Sequence, residues 1–408
     1  MKKILERSYA DVVSLENLLE AWEEFSVGKC ARKDAQAFEL RLMEHLISLH
    51  TELITKSYRH GTYEAFKVND PKPRDIHKAS VRDRIVHRAL YRVLSPFFDT
   101  LFIADSYSCR TDKGTHRALR RFEVFARKVS RNQTKTAWVL KGDIRKFFAS
   151  IDHGILLLDI LRERIVDEDI LWLLGEVVGS FHASCHPAPD AGSRISGSRL
   201  GGRDDRKGGC DALRNSGLPH PRGLGLAMTE KKSVTKKGLP LGNLTSQLFA
   251  NVYLNEFDQF VKHGLKAPGY IRYADDFVIL SREKEWLESI LFRIEGFLHE
   301  RLKLELHPDK LFLKTLASGM DFLGWVHFPD HRVLRTVTKR RMFRKLDEKN
   351  ISSYLGLLGH GNGYILKEMV SGKTADSMVS CHPGLPPERT RSVRAGDPGS
   401  RDPETSSG

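Results

Sequence analysis

One stretch constrains the rest of the chain: Tyr270-Ile271-Arg272-Tyr273-Ala274-Asp275-Asp276-Phe277-Val278-Ile279-Leu280. Two short apolar and aromatic runs flank adjacent carboxylates, and runs this short and rich in β-branched and aromatic residues read as strands. Joined at Asp275-Asp276, they make a hairpin with both acids at its tip. Adjacent aspartates repel, so such a tip is costly unless a cation sits there. Hard divalent ions such as Mg²⁺ take carboxylate oxygens. A solvated Asp-Asp turn is the plainer reading of these residues taken alone; the metal reading needs a third carboxylate on a neighbouring strand.

That acid has a candidate upstream. Ala137-Trp138-Val139-Leu140-Lys141-Gly142-Asp143-Ile144 reads as a buried strand ending near Asp143, followed by Arg145-Lys146-Phe147-Phe148-Ala149-Ser150-Ile151-Asp152. A polar residue closing an apolar strand is often only a terminus, and Asp152 reads as the N-cap of the helix that follows it. The order strand, Asp, basic pair, two aromatics, Asp resembles the first metal-binding motif of reverse transcriptases. Tyr273-Ala274-Asp275-Asp276 resembles the second. Either match alone is weak; both in this order are specific.

Charge agrees with a nucleic-acid partner. The formal net charge of the 408 residues is +14, an electrostatic footprint for nucleic acid, although basic proteins also bind anionic membranes or ribosomes. No run approaches ~20 uninterrupted apolar residues, so no membrane helix is expected. The start, Met1-Lys2-Lys3-Ile4-Leu5-Glu6-Arg7, does not read as a secretory signal. The five cysteines (Cys30, Cys109, Cys185, Cys210, Cys381) are scattered and suggest neither a disulfide framework nor a zinc site. The reading is a soluble, cytoplasmic protein with no membrane partner.

Along the chain, residues 1–66 read as two packed amphipathic helices, with Leu15, Leu18, Leu19 and Trp22 on one face and Phe38, Leu42, Leu46 and Leu49 on the other helix. Lys67 to Ile76 reads as a strand, a proline-bounded turn and a second strand, with Lys72 and Arg74 at the turn. A basic hairpin can close over a triphosphate; a solvated basic turn is the plain alternative. Arg82 to Leu90 is helical, its arginines either phosphate contacts or the wet face. Residues 182–232 are rich in Gly, Arg, Ser, Asp and Pro and read as a disordered insertion. The tail 371–408 has the same character. Glu283 to Leu302 reads as a helix, and Leu304 to Lys310 as a strand with a turn.

Lys237-Gly238-Leu239-Pro240-Leu241-Gly242-Asn243-Leu244-Thr245-Ser246-Gln247 is a glycine-proline turn opening a helix. Its aliphatic residue before the glycine and its closing Ser-Gln resemble the diversity-generating retroelement branch of reverse transcriptases. Intron and retron enzymes usually carry Gln-Gly and Ser-Pro there. Met320 to Trp325 resembles the primer-grip strand pair, and Ser353 to about Val370 the thumb helices. The resemblance implies an α+β right-hand polymerase: fingers, a palm with an antiparallel sheet and catalytic hairpin, and a helical thumb. The expected divisions are a helical extension (1–66), fingers and first palm part (67–181), the insertion (182–232), second palm part with hairpin and primer grip (233–326), thumb (327–370) and tail (371–408).

The same resemblance implies an error-prone RNA-directed DNA polymerase using two Mg²⁺ ions, or Mn²⁺ in their place. The metal ligands would be Asp143, Asp275, Asp276 and the carbonyl of Ile144. Lys310 would protonate the leaving pyrophosphate; a surface lysine is the alternative. Lys72, Arg74, Phe148, Leu241, Gly242 and Gln247 would line the dNTP site, with Phe148 as a gate against the 2′-hydroxyl, or else a core aromatic beside Phe147. The implied partners are an RNA template, a DNA or RNA primer, dNTPs and a small basic accessory protein. Two alternatives stay open: a group II intron-related or phage-defence reverse transcriptase, and a non-polymerising, RNA-binding protein of maturase type.

Overall fold

A computed structural model describes residues 2–69, 73–181, 236–347 and 350–372. The expected disordered segments 182–232 and 371–408 lie outside the described residues, apart from residues 371 and 372. The chain divides into two units, Met1–Arg335 and Thr336–Gly408.

The first unit begins with α1 (Tyr9–Val13), α2 (Leu15–Ser26), α3 (Lys33–Glu39) and α4 (Leu42–Ile54). Two helices were expected here, and four form. The run from Phe38 to Leu49 breaks at Leu40-Arg41, with no glycine or proline to mark it. Packing supplies the reason: the Phe38 ring stacks on both Trp22 (5.3 Å) and His45 (4.6 Å). An unbroken helix would hold residues 38 and 45 about 10 Å apart along its axis. Leu18 and Trp22 are buried as expected, whereas Leu15 and Leu19 remain partly exposed.

A two-stranded hairpin follows, β1 (Glu64–Val68) and β2 (Arg74–Lys78). Next come α5 (Val81–Asp99) and α6 (Thr115–Val129). Ser80 caps α5 by accepting from the Asp83 amide. The α5 arginines are turned to the amino-terminal helices: Arg84 pairs with Asp34 (2.7 Å), Arg88 with Glu24 (3.3 Å), and Arg92 with Glu20 and Glu24. They act as clamps between helices, not as a free wet face.

The centre is an antiparallel four-stranded sheet in the order β4-β5-β3-β6, formed by β3 (Trp138–Asp143), β4 (Gly269–Tyr273), β5 (Asp276–Ser281) and β6 (Phe312–Thr315). Between β3 and β4 lie α7 (Phe147–Ser150), a π-helical stretch (Ile155–Leu161), α8 (Glu168–Gly179) and α9 (Leu244–Gln259); α10 (Lys284–Leu302) follows β5. The aromatics of α9 are core, as their spacing suggests: Phe249, Tyr253 and Phe257 are buried, and Phe257 sits edge-on to Phe277 at 5.2 Å. Leu304 to Lys310, expected as a strand with a turn, makes a single bridge, Leu306 to Ile144, in place of a strand, and forms the turn as a 3₁₀ turn at Pro308–Lys310. The proline removes a ladder donor there, and the chain after β3 turns away through Lys146 at φ 46°.

A second sheet of β7 (Met320–Phe322), β8 (Trp325–His327) and β9 (Arg332–Leu334) closes the unit. Its first turn, Leu323-Gly324, has both φ values positive (50° and 85°), as a tight two-residue hairpin requires. The second unit comprises α11 (Thr336–Lys345), α12 (Ile351–Leu358) and α13 (Tyr364–Gly372). Helix α11 carries Lys339, Arg340, Arg341, Arg344 and Lys345 and no acid.

Candidate active site

The site is built on the ends of two central strands. Val139 and Leu140 on β3 and Phe277, Val278, Ile279 and Leu280 on β5 are fully buried, so hydrophobic burial holds the register of this pair. That register places Asp143 directly opposite Asp276. Gly142 faces Phe277, and a Cβ at Gly142 would lie 2.3 Å from Phe277 Cζ. The glycine is what lets the ring cover the strand.

Strands β4 and β5 pair with Tyr273 opposite Asp276, leaving Ala274 and Asp275 as a two-residue loop. Ala274 has φ 54°, a left-handed conformation that costs roughly 1 kcal/mol for a residue with a Cβ. The amide of Ile144 donates to the Asp275 carbonyl at 3.3 Å, tying the loop to the end of β3. The three acids and Ile144 therefore meet at one end of the two central strands.

Their electrostatics fit a cation. Burial, then the charges of Asp143 and Asp276, pushes the Asp275 carboxyl up to about 6. Burial also raises Asp276, with Lys141 opposing and Asp143 adding to the rise. Two ammonium groups already answer this charge. Lys310 Nζ donates to Asp143 Oδ1 at 2.7 Å. Lys141 Nζ lies 3.7 Å from Asp276 Oδ1 and donates to the Asp321 carbonyl at 3.0 Å. Among the described residues no three His, Cys, Asp or Glu side chains are already drawn together as a metal-binding group. The donors are hard oxygens carrying mutually repelling charge, which suits Mg²⁺ or Mn²⁺.

The other expected residues fall into a second group. The Leu241 carbonyl accepts from the His77 amide (2.9 Å), and Asn243 Nδ2 donates to the His77 carbonyl (3.0 Å). This pins the loop to β2, the strand that begins at Arg74. Gly242 has φ 110°, and a Cβ there would come within 2.8 Å of Ile76 Cγ2. Gln247, on the first turn of α9, lines a cavity of about 330 Å³ together with Gly242, Lys29, Arg32 and Arg88. Arg74 is exposed, and Lys72 lies outside the described residues. Phe148 sits on α7 with its ring edge-on to Phe147 (5.4 Å). Its carbonyl accepts from the Leu239 amide at 2.7 Å, joining the two groups through the backbone. Asp152 is a cap, accepting from the amides of Gly154 (2.9 Å) and Ile155 (3.2 Å).

Three residues of the site went unread in the sequence: Lys141, Arg272 and its partner Asp258. The available signal was a single cation inside an otherwise apolar strand, in Trp138-Val139-Leu140-Lys141 and in Tyr270-Ile271-Arg272-Tyr273.

Residues 213–327 match the family described as reverse transcriptase (RNA-dependent DNA polymerase). The match takes in Asp275, Asp276 and Lys310 and stops short of Asp143. Protein YkfC of Escherichia coli (strain K12) is 26% identical over 333 residues, covering 73% of each chain. The group II intron-encoded protein LtrA of Lactococcus lactis subsp. cremoris is 21% identical over 375 residues, covering 75% of this chain and 53% of its own. The chain thus spans about half the length of that intron-encoded relative. Among solved structures, apo telomerase from Candida tropicalis aligns over 76% of this chain and 56% of its own, at 11% identity and a TM-score of 0.43. No helix of the described residues is long and apolar enough to cross a membrane.

Proposed function

We propose a reaction and a division of labour for this chain, which belongs to the reverse transcriptase family of RNA-directed DNA polymerases. It extends a DNA or RNA primer along an RNA template, on an α+β fold of the right-hand polymerase class, within the cytoplasm. The observation that carries this is the register of Asp143 against Asp276 with Asp275 in the intervening loop. Asp143, Asp275, Asp276 and the Ile144 carbonyl would hold two divalent ions, which when bound activate the primer 3′-hydroxyl and neutralise the leaving phosphates.

The remaining residues bind and orient. The 3′-hydroxyl passes its proton to a solvent water, and its oxygen forms a bond to the α-phosphorus of the dNTP while the bond to pyrophosphate breaks. Lys310 Nζ, which leaves Asp143 Oδ1 once that carboxylate holds a cation, gives its proton to the departing pyrophosphate and regains one from water. Arg74 and Lys72 hold the triphosphate. Phe148 packs under the sugar and excludes a 2′-hydroxyl. Leu241 and Gly242 lie beside the new base pair, with Gln247 behind them. The basic face of α11 suits a nucleic-acid backbone, whose affinity falls as salt rises.

Primer extension on a primed RNA template tests the reading. Wild type should extend the primer; Asp143→Asn should not, while its RNA binding persists. Extension by Asp143→Asn would sink the assignment of the acids. The finer reading, error-prone copying of diversity-generating type with a small basic accessory protein, rests on Leu241. A leucine offers the nucleotide no hydrogen bond, and losing one of ~0.5–1.5 kcal/mol relaxes discrimination several-fold to about tenfold. Sequencing the cDNA should show errors opposite template adenines that decline in Leu241→Gln. The intron-encoded relative favours the group II intron-related alternative, and a low, unbiased error rate would select it.

A further inference from the structure

Arg272 is 1% exposed and stands two residues before the loop that carries Asp275. Its guanidinium is saturated. Nε donates to Asp258 Oδ1 and Nη2 to Asp258 Oδ2, both at 2.7 Å. Nη2 also donates to Ser106 Oγ (3.1 Å), and Nη1 donates to Asn251 Oδ1 (3.2 Å) and to the Ala274 carbonyl (3.0 Å). These account for all five N–H donors of the group.

The partners belong to three pieces of chain: α9 (Asn251, Asp258), the polar loop before α6 (Ser106) and the turn itself (Ala274). Tyr270 Oη donates to Asp258 Oδ1 at 2.6 Å, and Asn251 Nδ2 to the Ser108 carbonyl at 2.8 Å. The backbone repeats the link, since the Arg272 amide donates to Asp105 and its carbonyl accepts from Tyr107, each at 3.0 Å. A bidentate guanidinium–carboxylate pair is rigid in a way that a lysine pair is not. Of the three remaining donors, one on Nη1 reaches the carbonyl of Ala274, the turn residue that adopts a left-handed φ.

We propose that Arg272 is a positioning residue. Anchored on Asp258, it holds the Ala274–Asp275 turn in its strained conformation and locks the Asp105–Ser108 loop against it. The acids and that loop then move as one body. This inference rests on the polymerase reading for its consequence in catalysis, but not for the strut itself.

The test compares wild type with Arg272→Lys, which keeps the charge but has three donors. If Arg272→Lys fails to fold, Ser106→Ala takes its place, removing a single bond at the far end. A control, Leu298→Ala, loses stability in α10 away from the site. Hydrogen exchange should quicken both in residues 105–108 and in 272–276 of the Arg272 variant, while β7 and β8 stay unchanged. The turnover number per folded molecule should fall about 10- to 100-fold, as expected for reacting groups misplaced by about 1 Å. Affinity for primer–template and KM for dNTP should hold, and Leu298→Ala should keep its turnover number. Unchanged exchange overturns the strut. Faster exchange with wild-type turnover, or a loss that only tracks stability as in Leu298→Ala, overturns the positioning role. A wild type with no polymerase activity removes the function proposed above, and exchange alone then decides the strut.

Discussion

Replacing Asp275 with asparagine should raise the stability of the metal-free protein while removing its chemistry. The Asp275 carboxyl is raised from its ordinary 3.8 to about 6, by burial first and by Asp143 and Asp276 next. At ~1.36 kcal/mol for each tenfold change in proton affinity, the ionised native state carries a penalty of about 3 kcal/mol. That is an upper figure, because the side chain keeps part of its water. A raised carboxyl pKa means the native state retains a proton that the unfolded chain has released. The associated stability is complete below about pH 4 and is lost as pH climbs through about 6. Asparagine keeps the shape without the charge, and the bond from Ile144 to residue 275 uses only the backbone carbonyl. Calorimetry in chelator should therefore show Asp275→Asn melting higher than wild type at pH 7.5, by on the order of 3–5 °C. The gap should close towards pH 4. Added Mg²⁺ or Mn²⁺ should raise wild type and leave the variant nearly unmoved. A variant less stable than wild type at pH 7.5, or a gap equal at both pH values, would refute the argument that the buried, repelled charge of Asp275 is a cost stored at this turn.

Three further outcomes follow from named contacts. Phe148→Ala should fold, because its ring is only partly buried, and should incorporate ribonucleotides; continued exclusion in a folded variant returns Phe148 to a packing role beside Phe147. Lys310→Met should lower the turnover number about 100-fold or more if the ammonium is a general acid, with RNA binding unchanged, and a variant as fast as wild type removes that role. Gly142→Ala should cost about 1–3 kcal/mol by overpacking against Phe277; Phe277→Leu in the same chain should recover part of it, and a single variant as stable as wild type in denaturant titration would contradict the packing.

The hairpin was legible because each of its parts speaks locally. Tyr270–Leu280 is apolar on both sides of two acids, and a buried pair of strands has little choice of register. Asp152 as a cap needed only the residues after it. What could not be read were interactions between distant segments. Asp258 becomes the partner of Arg272 only once α9 lies across the sheet. The α5 arginines looked like wet or phosphate-binding residues because Glu20, Glu24 and Asp34 lie more than forty positions upstream. The break before α4 was hidden for the same reason, since stacking of Phe38 on Trp22 overrides a pattern that would continue as one helix. Propensity and period carry no information about such contacts.

The two kinds of cation around the acids do different work, and their chemistry explains why they are not interchangeable. Arg272 presents a planar fork with every donor engaged and no exposed edge, so it fixes geometry and has no freedom to respond. Lys310 and Lys141 each carry a compact charge on a flexible stem, placed on the carboxylates themselves. An ammonium on Asp143 Oδ1 occupies a position that a divalent ion would claim, and its stem lets it swing off without disturbing the strands. Lys141 has a second hold on the Asp321 carbonyl in β7, so displacement from Asp276 leaves it satisfied and keeps the second sheet tied to β3. On the proposed two-metal reading, a fixed arginine behind the turn and lysines on flexible stems before it would let the acids stay in register while their counter-charge is exchanged. The reverse arrangement would leave a loose turn beneath a charge that could not be displaced.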